Sequence, residues 1–153
     1  MRAYFIRAGG GRALVEPRDA AVPEPGPQQM RVRVRAAGLN RGEFMGAGAA
    51  AKPAGTDAAG EVEQLGPGVT RFKVGARVMG RCPGAFAQYA LMDARETMAV
   101  PEKLAWEDAA AVPIVFLVVY DMLIAQGRLE AGEWLLVTGV SSGVGVAALQ
   151  TAK

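Results

Sequence analysis

The stretch that decides the fold is Glu133–Lys153, with the sequence EWLLVTGVSSGVGVAALQTAK. The apolar run Trp134–Val137 predicts a short strand buried on both faces, and small residues follow it over Thr138–Gly145. Val146–Ala152 then predicts a helix, and the first amide groups of a helix attract an anion. A strand, a glycine-rich turn and a helix start in this order predict the opening of a dinucleotide-binding unit.

The glycine turn taken alone leaves two interpretations open. Aligned with G-x-G-x-x-G, the window Val140–Gly145 keeps only its last glycine, whereas Val140 and Ser142 occupy the other two glycine places. The serine hydroxyls could hydrogen-bond a phosphate oxygen, but glycines of this kind also simply end strands. The candidate cofactor-binding residues of the turn are Thr138, Gly139, Ser141, Ser142, Gly143, Val144 and Gly145.

Composition argues against several classes of protein. In 153 residues, 51% are hydrophobic and 21% charged, which is typical of a globular protein and not of a disordered chain. The net charge of +2 gives no reason to expect nucleic acid or an anionic membrane as a partner. Arg31, Arg33 and Arg35 alternate with apolar residues and therefore predict the solvated face of a strand.

Cysteine and histidine usage bears on metals and on the compartment. The sequence has no histidine and a single cysteine, Cys82, so it lacks the ligands of a zinc site and cannot form an internal disulfide. We expect no metal and an incidental role for Cys82. Met1–Arg7 does not predict a secretory signal, and the apolar run Ala109–Ala125 is interrupted by Pro113, so a buried helix and a cytoplasmic location are expected.

The first hundred residues predict a β-rich domain. Short apolar runs are separated by glycine- and proline-rich turns, a spacing typical of a small barrel or sandwich. Ala47–Ala54 is small in composition and predicts a mobile loop. The candidate strands are Ala3–Arg7, Ala13–Glu16, Met30–Gly38, Gly60–Leu65, Ala76–Met79, Phe86–Met92 and Met98–Val100.

The character of the sequence changes after Pro101. Trp106–Val112 and Val115–Gln126 predict helices that are broken at Pro113, with Gly127 as the stop of the second. The expected organisation is a β domain over residues 1–100, linking helices over 101–131 and the start of a second, nucleotide-binding domain over 132–153.

Several blocks in the β-rich part resemble one known family. Together with the glycine turn, their order resembles the medium-chain dehydrogenase/reductase superfamily, and specifically its zinc-free quinone oxidoreductase branch. The short-chain dehydrogenase fingerprint also fits the turn, but that family carries it near the N-terminus. The blocks are Ala36–Arg41 (AAGLNR), Gly55–Gly60 (GTDAAG), Gly66–Gly75 (GPGVTRFKVG), Gly84–Tyr89 (GAFAQY) and Ala109–Pro113 (AAAVP).

The resemblance implies a fold and an activity. The fold is a β-rich GroES-like barrel domain followed by the first β-α unit of an α/β Rossmann domain. The activity is zinc-independent hydride transfer from NADPH or NADH to a small-molecule quinone or enone. Asn40 matches the family's asparagine near nicotinamide and substrate, so it is the candidate catalytic residue and a further cofactor-binding residue. Full-length relatives of this kind are expected to be homodimers.

The sequence departs from the family pattern at identifiable positions. Thr56 stands where zinc-dependent relatives have a histidine, and Met45 stands where the family often has a tyrosine. Tyr120 is expected in the core, and a structural role is expected for Asp57 at the barrel mouth.

The resemblance also predicts that later Rossmann strands, and the residues that choose NAD or NADP, lie outside this sequence. We therefore expect the front part of a longer enzyme, which is inactive alone. An enoyl-reductase module of a polyketide or fatty-acid synthase shares the same chemistry and remains an alternative. A non-catalytic GroES-like interaction module is the second alternative.

Overall fold

The structure, a computed structural model, describes residues 1–45 and 47–153. Its N-terminal part consists of two antiparallel sheets, one with strand order β2-β1-β4 and the other with order β7-β3-β5-β6-β8. The strands are β1 (Arg2–Gly9), β2 (Arg12–Asp19), β3 (Gln29–Ala37), β4 (Lys52–Pro53), β5 (Asp57–Leu65), β6 (Arg77–Arg81), β7 (Tyr89–Asp93) and β8 (Met98–Ala99). The predicted β-rich domain is confirmed.

Strand β3 shows why the alternating pattern locates these strands. Met30 and Val32 point inward and are fully buried. The arginines between and beyond them lie on the other face, where Arg35 forms an ion pair with Glu61 of β5 at 2.8 Å. A period of two places every second side chain on one face of a sheet, so this pattern fixes which face is buried. The predicted solvated arginine face is confirmed for Arg33 and Arg35, whereas the Arg31 side chain is 14% exposed and pairs with Glu24 and Glu63.

The core of the larger sheet is built from small and medium-sized side chains. Buried residues of β3, β5, β6 and β7 pack together with Cys82, which is fully buried. A second cluster joins the sheet to the helix Trp106–Ala111, in which Ala109 and Ala110 pack on Ala59 and Met79. The small side chains allow this helix to approach the sheet closely.

Four α-helices and one π-helical segment complete the described fold. They are α1 (Arg41–Met45), α2 (Trp106–Ala111), α3 (Pro113–Val119), the π-helical segment Tyr120–Gln126 and α4 (Gly143–Thr151). Pro113 is the first residue of α3, a position where its missing N–H leaves no bond unmade. The predicted break at Pro113 is therefore confirmed. In the described residues, no helix is long and apolar enough to cross a membrane.

The predicted strand at Trp134–Val137 is wrong as a hydrogen-bonded strand. The described residues offer it no neighbouring strand, so the segment belongs to neither sheet. Its burial is also one-sided: Trp134 and Leu136 are 100% and 89% exposed, whereas Val137 packs against α3 and α4. An apolar run predicts a strand only on the condition that partners flank it.

Smaller differences have local causes. The expectation that Tyr120 lies in the core is wrong, because its side chain is 59% exposed. The segment predicted as a strand from Phe86 begins its regular pairing only at Tyr89. Helix α1 and strand β4 were not predicted, since neither is long enough to show a period.

Candidate functional site

A cleft of about 770 Å³ lies between the end of β3 and the start of α4. Asn40 and Arg41 line it from the barrel, and Ser141 and Val144 line it from the glycine turn. Side chains of α3 form the floor between them, including Val115. The structure therefore brings the candidate catalytic residue and the candidate cofactor turn to one cavity, although they are a hundred residues apart in sequence.

The glycine turn has the geometry that its residue types predict. Gly139 has a φ of 68°, a left-handed conformation that favours glycine, and its carbonyl accepts a hydrogen bond from the Ser142 amide at 3.0 Å. A Cβ at Gly145 would lie 2.6 Å from the Gly139 carbonyl oxygen. Gly145 therefore allows the helix to pack directly on the turn that precedes it.

The N-terminus of α4 is capped by its own serine. The Ser142 hydroxyl oxygen accepts a hydrogen bond from the Gly145 amide at 3.0 Å, and the Ser142 carbonyl accepts from the Val146 amide at 2.9 Å. The amides of Gly143 and Val144 precede the first intrahelical bond, so they can bind an anion in the cleft. The Ser142 hydroxyl keeps its proton free to donate to the same anion.

The remaining turn residues have different places. Gly139 and Gly145 shape the turn without lining the main cleft. Thr138 also lies outside it and lines a smaller cavity of about 190 Å³ between residues 135–138 and α4. Of the seven turn residues singled out from the sequence, Ser141, Ser142, Gly143 and Val144 line the cleft.

Asn40 belongs to a group of four polar residues, hereafter the Asn40 cluster: Asn40, Glu43, Thr56 and Asp57. The amide nitrogen of Asn40 donates to the Asp57 carboxylate at 2.7 Å and to the Thr56 hydroxyl at 3.2 Å, and lies 3.4 Å from Glu43. The Thr56 hydroxyl donates in turn to Glu43 at 2.7 Å. Antiparallel pairing places the end of β3 beside the start of β5, which brings these residues together.

Asp57 is the buried member of the cluster, with a side chain that is 2% exposed. Burial raises the pKa of its carboxyl group and nearby Glu43 raises it further, whereas hydrogen bonds from the Ile114 amide and from Asn40 oppose the rise. The Ile114 amide, in the first turn of α3, donates to it at 3.3 Å. A Cβ on Gly38 would collide with the carboxylate. Asp57 thus ties the barrel to the helix that forms the cleft floor.

Sequence reasoning missed part of this cluster. Glu43 carried no signal, because its place on a one-turn helix shows only once α1 is known. Thr56 was noted only as a substitute for histidine. In residues 1–45 and 47–153, no group of three or more His, Cys, Asp or Glu side chains is arranged to hold a metal ion.

Comparison with known proteins places the chain in a family. The profile of the alcohol dehydrogenase GroES-like domain matches residues 26–102, half of the chain. The chain belongs to this family. Together with the relatives below, the match assigns it to the quinone oxidoreductase branch of the medium-chain dehydrogenase/reductase superfamily. The resemblance inferred from the sequence blocks is confirmed, as is the GroES-like fold class.

Relatives come from two kinds of protein. The pikromycin polyketide synthase component PikAII of Streptomyces venezuelae is 43% identical over 139 residues, which is 88% of this chain and 4% of that protein. Human quinone oxidoreductase is 37% identical over 163 aligned positions, which is 100% of this chain and 50% of that protein. The chain thus spans about half the length of the quinone oxidoreductase and a few per cent of the synthase.

Solved structures agree with this assignment. The structure of mycobacterial Rv1454c complexed with NADPH superposes with a TM-score of 0.87 at 26% identity, covering 98% of this chain and 49% of that one. This chain therefore shares the fold of about half of a protein that was solved with NADPH.

Proposed function

We propose that the protein is a zinc-independent, NADPH- or NADH-dependent oxidoreductase that reduces a quinone or an activated alkene. The observation that carries the proposal is the shared cleft, in which the open amides of α4 lie across from Asn40. Among the relatives, one is named quinone oxidoreductase and one was solved with NADPH. The proposal adds to the family assignment a cofactor, a substrate class and a set of residues.

The cleft fits the pyrophosphate of such a cofactor. Two backbone amides at the start of α4, those of Gly143 and Val144, would bind the phosphate oxygens with the hydroxyls of Ser141 and Ser142. Arg41 lines the same cavity and adds a positive charge. Thr138, Gly139 and Gly145 would hold the turn in the shape that this binding needs.

Asn40 would contact the nicotinamide end of the cofactor. A bound reduced nicotinamide supplies the hydride, so the chain's own residues have to orient the ring and leave room for the acceptor. Both hydrogens of the Asn40 amide already have acceptors in the Asn40 cluster. We therefore assign Asn40 to positioning the cofactor, and we assign the proton that quenches the developing oxyanion to water in the open cleft.

The division into residues 1–100 of the catalytic domain, 101–131 as linking helices and 132–153 as the start of the NAD(P)-binding domain is part of this proposal. We also propose that these 153 residues alone bind the cofactor weakly and do not catalyse turnover. We also expect the full-length protein to form a homodimer, which sedimentation equilibrium would test.

An enoyl-reductase module of a polyketide synthase is a second candidate. It is favoured by one observation, the 43% identity to a polyketide synthase component over 88% of this chain. Both candidates use the same cleft and the same hydride chemistry. They differ in the acceptor, which is a free quinone in one case and an enoyl thioester on a carrier in the other.

Steady-state oxidation of NADPH and NADH by the full-length protein tests the proposal. We expect turnover with a benzoquinone or an enone that persists in the presence of a chelator, and that falls by about tenfold or more in Asn40→Leu. Faster turnover with a crotonyl thioester than with any quinone would favour the synthase module. Absence of both turnover and cofactor binding would contradict the proposal and favour a non-catalytic GroES-like module.

A further inference from the structure

The hydrogen bonds of the Asn40 cluster have a fixed direction. A primary amide has two donor hydrogens on Nδ2 and an acceptor on Oδ1. The Nδ2 atom of Asn40 lies within hydrogen-bond distance of Asp57 and Thr56, and the Thr56 hydroxyl spends its own proton on Glu43. Both amide hydrogens are thereby committed to the protein, which leaves Oδ1 for a ligand.

The acceptors of the cluster disfavour the opposite orientation of the Asn40 amide, in which Oδ1 and Nδ2 exchange places. Glu43 Oε2 is buried and has no hydrogen-bond partner among the described residues. Turning Oδ1 of Asn40 toward this group would add a further acceptor beside two carboxyl groups and would leave their oxygens without the Asn40 donors. The Ile114 amide also donates to Asp57. The Asn40 and Ile114 amides therefore both use this carboxyl group as a hydrogen-bond acceptor.

We propose that Glu43, Thr56 and Asp57 are positioning residues that hold Asn40 with its carbonyl oxygen toward the cleft, so that the cleft selects a ligand carrying an N–H donor. This inference rests on the proposed function, because the donor is then the carboxamide NH2 of nicotinamide. It deepens that function by naming the ligand atom that is recognised and the residues that determine the recognition.

Analogues of the cofactor test the selectivity. The 3-acetylpyridine analogue of NADP⁺ replaces the carboxamide NH2 by a methyl group, whereas the thionicotinamide analogue keeps the NH2. For the full-length protein we expect NADP⁺ and the thionicotinamide analogue to bind with similar dissociation constants. We expect the acetylpyridine analogue to bind about tenfold more weakly, which corresponds to one hydrogen bond.

Variants of the positioning residues supply the second arm. Thr56→Val combined with Glu43→Gln removes the hydroxyl acceptor and replaces one carboxylate by a neutral amide, so that Asp57 alone holds the Asn40 amide, and we expect the preference for the carboxamide to become smaller. Thr56→Ser keeps the hydroxyl and should keep the preference. Glu61→Gln, a change of the same chemistry on the exposed face of β5, is the matched control and should also keep it.

A measurement without cofactor keeps the inference independent of the proposed function. Asn40 is the sole asparagine of these 153 residues, so selective labelling of the 153-residue chain identifies its side-chain amide by NMR. We expect both amide protons to exchange slowly with solvent in the wild type, and faster in the Thr56→Val/Glu43→Gln variant.

The outcomes separate the two claims. Equal affinity of the wild type for NADP⁺ and its acetylpyridine analogue would overturn the selectivity while leaving the proposed function in place. If none of the three nucleotides binds, the proposed function fails. In that case fast exchange of the wild-type Asn40 amide would also overturn the orientation, whereas slow exchange would support it.

Discussion

At the scale of single residues, a carboxyl group held out of water organises the site. Asp57 is almost fully buried, and its bonds reach both Asn40 at the cleft and Ile114 in α3. One side chain therefore links the candidate binding residue to the cleft floor. The same burial raises the pKa of Asp57, so its protonation is coupled to folding.

This coupling predicts a pH dependence of stability. Unfolded Asp57 loses its proton near its ordinary pKa of 3.8, whereas the folded protein holds the proton to higher pH. As pH rises through this window the folded state binds more protons than the unfolded state, so the Asp57 contribution to the free energy of unfolding declines. Asp57→Asn should remove this decline.

Urea unfolding of wild type and Asp57→Asn, over a pH series from about 4 upward, measures the contribution of Asp57 to the free energy of unfolding. The difference in the free energy of unfolding, wild type minus variant, should become smaller as pH rises. The surface substitution Asp19→Asn serves as the control. Curves of wild type and Asp57→Asn that stay parallel over the whole series would contradict the assignment.

Cys82 gives a second prediction for a single residue. Burial raises the pKa of this thiol to about 12, with a smaller contribution from Asp57, and its side chain is fully buried. Since the thiolate is the reactive form, we expect folded protein to react with a disulfide reagent only as fast as it unfolds. The labelling rate should rise with urea. A native thiol that reacts as fast as a free one would place Cys82 at the surface.

At the scale of elements, the glycine turn depends on the contact between α4 and the residues before it. Gly145→Ala would place a Cβ 2.6 Å from both the Gly139 carbonyl oxygen and the Val140 Cα. We expect this backbone clash to lower the free energy of unfolding by about 1–3 kcal/mol, measured by urea denaturation.

A neighbouring glycine provides the comparison. In Gly143→Ala the nearest contact of the new Cβ is the end of the Val115 side chain, at 3.2 Å, which can shift. Its effect on stability should therefore be smaller than that of Gly145→Ala. Equal losses in the two variants would show that the turn does not need close packing at Gly145.

The elements also show how far sequence reasoning reaches. Strands such as β3 are predicted by alternation, and the break at Pro113 by the chemistry of proline. The Asn40 cluster could not be predicted, because it depends on which strands pair, and only the β3–β5 register brings Asn40 to Thr56. The strand predicted at Trp134–Val137 failed for the same reason, since pairing is a property of two segments.

At the scale of the whole molecule, exposed apolar side chains concentrate in the C-terminal third. Trp134 and Leu136 are almost entirely exposed, and Leu117 of α3 is exposed on the neighbouring helix. An exposed apolar segment outside any sheet is a surface on which chains associate. We expect the 153-residue polypeptide to self-associate at micromolar concentrations, as measured by sedimentation velocity.

Paired substitutions locate this association. Trp134→Lys with Leu136→Lys should reduce it strongly, because both side chains lie on the open face of the unpaired segment. Leu14→Lys, on the exposed surface of β2, is the control and should leave it unchanged. Association that persists in the double variant would assign it to another surface.

The central claim is that the cleft between the barrel and α4 binds a nicotinamide cofactor. The most direct test is an NMR titration of the isotopically labelled chain, carrying Trp134→Lys and Leu136→Lys against self-association, with NADPH added to millimolar concentrations because we expect weak binding. We expect the backbone amides of Gly143 and Val144 and the side-chain amide of Asn40 to shift together along one binding curve. Resonances at these three positions that stay unchanged at the highest concentration, or that shift less than those of the remote surface, would contradict it.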